Sequence, residues 1–77
     1  MYEELIKKMH ATITTTWKIF HKHLKANSPD WDALVDELSE LNGIYKDDKI
    51  ARMISEGLAG GLYAAISTYQ KEQGIED

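Results

Sequence analysis

The 77-residue chain has no cysteine, a single proline and a single phenylalanine. Without cysteine there is no disulfide framework and no thiolate metal site, so stability has to come from packing or self-association. That requirement is demanding, because a monomer of this size buries only about 60% of the surface its unfolded chain exposes. Long apolar runs are also missing. The uncharged stretch from Gly57 to Gln70 falls short of the roughly 20 residues that cross a bilayer, and Arg52 and Glu56 precede it. Tyr2, Glu3 and Glu4 follow Met1 where a secretory leader would carry a basic segment and an apolar run. No signal peptide is expected, and a cytoplasmic setting is the default.

Charge is present, but in blocks. Residues 1 to 27 carry five lysines against two acids, whereas residues 28 to 77 carry four basic groups against eleven acids. All three histidines lie in the basic block. Oppositely charged helices lying side by side with solvated outer faces account for this division. An acidic surface that meets a basic partner is the functional alternative.

The segment HATITTTWKIFHKH, residues 10 to 23, mixes strand-favouring and metal-ligating residue types. No Gly or Pro precedes Pro29 to bound a strand, and good helix formers flank the segment. As a helix, Ile6, Met9, Ile13, Thr16 or Trp17, Phe20 and Leu24 fall on one stripe, and Lys18, Lys22 and Lys25 on another. The threonines from Thr12 to Thr16 are poor helix formers, so tertiary packing has to hold this face. In NSPDWDALVDELSELNG, Ser28 is a cap candidate, Pro29 suits the first turn, and Gly43 offers a left-handed stop. The apolar face there is Trp31, Leu34, Val35, Leu38 and Leu41. Asp47 or Asp48 caps a third helix whose apolar positions are Ile50, Met53, Ile54, Leu58, Leu62, Ala65, Ile66 and Tyr69.

Gly57, Gly60 and Gly61 each cost about 1 kcal/mol in a helix interior and need a reason. The hydrophobic phase does not slip across Gly60-Gly61 and no capping residue follows, which favours a continuous helix over a break. Gly57, Gly61 and Ala65 then form a small-residue strip open to another helix backbone. At 1.5 Å per residue the three helices measure about 36, 20 and 37 Å. An up, down, up path leaves the end of the third helix overhanging, with Ala65, Ile66 and Tyr69 exposed, and leaves the first turns of helix 1 uncovered. Two such stripes suggest a symmetric dimer.

Chemistry is sparse. On one helix His21 and His23 point about 200° apart, and His10 lies about 16 Å from His21, so one chain does not gather them around a metal; they read as solvated histidines on a basic face. No nucleophile elbow surrounds any serine, and no glycine-rich phosphate loop follows a strand. A recognition helix opening with Asp47 and Asp48 suits phosphate contacts poorly.

The expectation is therefore a single all-α domain, a small helical bundle with helices at about 2–25, 29–42 and 48–73. A break at Gly60-Gly61 would make four. The expected role is a non-enzymatic protein-protein interaction module, a cytoplasmic homodimer with no cofactor, no metal and no catalytic residue. Gly57, Gly61, Ala65, Ile66 and Tyr69 are the candidate oligomer contacts. Asp32, Asp36, Glu40, Tyr45 and Tyr63 are the candidate partner surface. The alternative is an acidic inhibitor or nucleic-acid mimic, in which Asp32, Asp36 and Glu40, with Asp47 and Asp48, imitate phosphates toward a basic protein. Membrane and nucleic-acid partners are not expected.

Overall fold

The computed structural model describes residues 1–26 and 29–74, and these form three helices: α1 (Glu3–Leu24), α2 (Trp31–Ile44) and α3 (Lys49–Glu72). α1 runs unbroken through the threonine cluster. Glu3 and Glu4 at its start and His21, Lys22 and His23 at its end complement the helix dipole. α3 is continuous through Gly60 and Gly61, so there is no fourth helix among the described residues. Asp48 caps it, accepting the Ala51 N–H at 3.1 Å.

The punctuation of α2 differs from expectation at both ends. Ser28 lies outside the described residues. Asp30 is the N-cap, accepting from the Ala33 N–H at 3.1 Å, and Pro29 precedes the helix instead of opening its first turn. Gly43 is not a left-handed stop. α2 continues to Ile44, and the Tyr45 N–H donates to the Leu41 carbonyl at 3.0 Å with no positive φ. A helix can close in this way on ordinary right-handed geometry, so glycine is not required there.

Contacts fix the topology. Lys8 meets Asp48, Thr16 meets Ser55, and Phe20 meets Tyr63, so α1 and α3 run parallel. Lys22 and His23 meet Glu37 while Tyr45 lies beside Lys8 and Thr12, so α2 runs back along α1. Because α3 begins level with Lys8, α2 returns past the midpoint of α1. α1 packs against both other helices, and α2 and α3 barely touch each other. The result is elongated, 46 × 22 × 17 Å.

The core is Phe20, Leu34 and Leu38, with Ile19, Trp31, Ala59, Leu62 and Ile66 packed on it. Ile66 is therefore partly buried against the chain's own core and not an exposed overhang residue. The buried face of α1 also differs from the apolar stripe. Thr12, Thr16 and Phe20 are buried, whereas Ile6, Met9, Ile13, Trp17 and Leu24 remain 40 to 62% exposed. On α3 the buried positions are Ala51 and Ser55, not Ile50, Met53 or Tyr69. The reason is steric and polar together. Small side chains on both helices let the backbones approach, and the Thr16 and Ser55 hydroxyls satisfy each other at 3.0 Å in the contact. Thr15 donates to the Ala11 carbonyl at 2.8 Å, within its own helix.

Replacing Thr16 with Val leaves the buried Ser55 hydroxyl without its partner, at a cost of about 1 to 3 kcal/mol. Combining Thr16→Val with Ser55→Ala removes both polar groups, and urea denaturation should find the double variant less destabilised than the sum of the two single changes.

Candidate interaction surfaces

Ile13 and Trp17 each follow a buried threonine by one residue, about 100° round α1. On α3, Ile50, Ile54 and Leu58 each precede a seam residue, Ala51, Ser55 or Ala59, by one residue, about 100° the other way. Because the two helices are parallel and face each other, these opposite rotations bring both stripes to the same side of the pair. The outer face so formed carries a bulky ridge from α1, Ile6, Met9, Ile13 and Trp17, all exposed. Gly57 follows Ser55 by two residues, about 200° round α3, so the small-residue strip of Gly57, Gly61 and Ala65 starts on the side of α3 away from α1 and winds toward this face at Ala65. A Cβ built on Gly57 or Gly61 meets nothing within 4 Å. The glycine strip therefore makes no close helix contact within the chain, which uses Thr12, Thr16, Ala51 and Ser55 for that purpose. Ala65 and Tyr69 are exposed, as expected of the α3 overhang, and Ile66 turns inward.

On the other side of the pair, the gap between α2 and α3 is an open groove of about 410 Å³. Val35, Leu38 and Asn42 form one wall, and Glu56, Gly60 and Tyr63 the other. Tyr63 stands edge-on to Phe20 with ring centroids 5.3 Å apart, and partial burial pushes its hydroxyl pKa upward. Tyr45 is distant from this groove. It caps α2 and lies half-buried beside Lys8, Thr12 and Asp48. The structure thus separates the two tyrosines assigned to one partner surface.

Asp32, Asp36 and Glu40 lie exposed on α2, and none of them forms an ion pair among the described residues. The acid that matters structurally is Glu37, which sequence reasoning passed over. It lies one residue beyond Asp36, about 100° round α2 toward α1, and receives both Lys22 and His23. The available signal was the adjacent Lys22-His23 pair at the C-terminus of α1. These contacts hold the Glu37 carboxyl below its ordinary value of 4.5, Lys22 being the larger cause and His23 the next. Asp48 is likewise lowered, first by the Ala51 N–H and then by Lys8, whose ammonium lies 2.9 Å away.

His23 is thus a half-buried packing residue and not a solvated one, while His10 and His21 are exposed and His21 tilts against Trp17 with centroids 5.5 Å apart. No group of three His, Cys, Asp or Glu among the described residues is placed to hold a metal ion. No described helix is long and apolar enough to cross a membrane. No family model, curated protein or solved structure matches the chain.

Because Glu37 has a lowered pKa in the folded chain, its contribution is present above 4.5 and is lost as pH falls through the folded value. Glu37→Gln should therefore cost stability at neutral pH, below about 1 kcal/mol for a pair this accessible to solvent. Urea midpoints of the two proteins should converge as pH is lowered beneath 4.5.

Proposed function

We propose that the chain is a non-enzymatic helical protein-protein interaction module that works as a cytoplasmic homodimer. The observation behind this proposal is the outer face of the α1–α3 pair, where Ile6, Met9, Ile13 and Trp17 of α1 lie exposed together. A contiguous apolar surface of this kind is costly to leave in water, and in a small chain its burial against a second copy adds to a limited core. The small-residue strip of α3 winds toward that face from the far side of the helix. A two-fold axis along the helices then sets α1 of each copy against α3 of the other, an isologous contact in which Trp17 comes level with Gly57.

Gly61→Leu separates the two levels of this proposal. Within one chain the new side chain meets open space, and the better helix former should stabilise the fold by just under about 1 kcal/mol. In the dimer it fills the strip, and overpacking should weaken association by about 1 to 3 kcal/mol. Thermal melts at low concentration and sedimentation equilibrium should move in opposite directions. A wild-type chain that stays monomeric at high micromolar concentration would remove the dimer from the proposal.

The second reading, an acidic inhibitor or mimic of nucleic acid, is supported by the exposed row of Asp32, Asp36 and Glu40, which forms no ion pair among the described residues. Changing Asp36 to Asn together with Glu40 to Gln should alter stability by no more than about 0.5 kcal/mol, because both side chains are exposed on α2. If mimicry is the function, the still-folded double variant loses salt-sensitive capture of a basic partner.

A further inference from the structure

In a close-packed three-helix bundle each helix touches the other two. Here α2 and α3 occupy adjacent sides of α1 and barely meet, so three corners of a four-helix arrangement are filled and the fourth is the open groove. Its walls have the periodicity of a helix-binding site. Val35, Leu38 and Asn42 on α2 stand three and four residues apart, as do Glu56, Gly60 and Tyr63 on α3. Ser39, Ser55 and Ala59 complete a lining in which small side chains predominate, and a Cβ on Gly60 meets nothing within 4 Å. A helix backbone can therefore sit deep between the walls. Each wall spans about two turns, roughly 10 Å.

Charge selects the occupant. Glu56 is the one charged residue of the lining, and no lysine, arginine or histidine contributes to it. Next to the Val35 wall, α2 turns Asp32 and Asp36 to solvent, and neither forms an ion pair among the described residues. We propose that this groove receives an amphipathic α-helix of a protein partner as a fourth helix, with an apolar seam between the walls and lysine or arginine flanks toward Glu56 and the α2 acids. This inference rests on the chain being an interaction module but not on its dimer, since groove and outer face lie on opposite sides of the α1–α3 pair and both can be occupied together.

The test uses fluorescently labelled synthetic helical peptides of about 18 residues, five turns, with a leucine and alanine seam and either lysine or glutamate flanks. Anisotropy titration of the full chain should show saturable binding of the lysine peptide, about tenfold or more tighter than the glutamate peptide, and weaker as salt rises. Gly60→Leu occupies the groove from an exposed helical position and should reduce lysine-peptide binding by about tenfold or more. Glu56→Gln should weaken it less. Sedimentation of Gly60→Leu should match the wild type, because this residue is not on the outer face. The groove assignment is overturned if the lysine peptide does not bind saturably, if it binds Gly60→Leu as it binds the wild type, or if both peptides bind alike. It is also overturned if excess lysine peptide dissociates the dimer in sedimentation, which would give the groove to a second copy. Loss of the dimer with peptide binding intact would refute only the dimer.

Discussion

The arrangement of this protein depends on a contact between small side chains. Thr12 and Thr16 of α1 and Ala51 and Ser55 of α3 are all buried, and the paired hydroxyls of Thr16 and Ser55 remove the cost of burying polar groups there. Choosing this seam rotates both helices. The bulky residues that a hydrophobic pattern would place inside are turned to one flank, and α2 takes the other. The outer apolar face and the α2–α3 groove are thus two results of the same rotation.

α2 is held differently. Leu34, Leu38 and Leu41 bury its inner face, and Glu37 gathers Lys22 and His23 from the end of α1. Both attachments are to α1. Val35 and Asn42 face α3 across open space because Ser55, Ala59 and Gly60 are too small to reach them. Phe20, the only phenylalanine, sits where the three helices come nearest to a common centre, between Leu34, Leu38 and the ring of Tyr63.

Helix identity was legible in the sequence because it depends on local signals: the absence of Gly and Pro before Pro29, the capping carboxylate of Asp48, and the unbroken phase across Gly60-Gly61. The face each helix buries was not. Periodicity weights large apolar residues, and the stripe through Ile6, Met9, Ile13 and Trp17 is periodic whether it is covered by its own chain or by nothing. The threonine cluster was the available signal, since poor helix formers in a helix need tertiary support, but which threonines turn inward depends on Ser55, 39 residues away. The candidate surface was legible to a similar depth. Tyr69, Ala65 and the α2 acids are exposed, whereas Ile66 packs partly buried on the core, Tyr45 lies far from Tyr63, and Glu37 was hidden next to the more conspicuous Asp36.

The parallel seam also governs how the chain reaches this state. α1 and α2 are neighbours in sequence and form a local hairpin, whose contacts close short loops. The seam instead joins Thr16 to Ser55 across 39 residues and Lys8 to Asp48 across 40. During synthesis α1 therefore waits with its threonine face hydrated until α3 emerges, and the contact that orients α1 and α3 against each other closes after α2 has been made. In such an ordering the small, hydroxylated character of that face has a second value: while it waits for its mate, it offers other chains little apolar surface to adhere to.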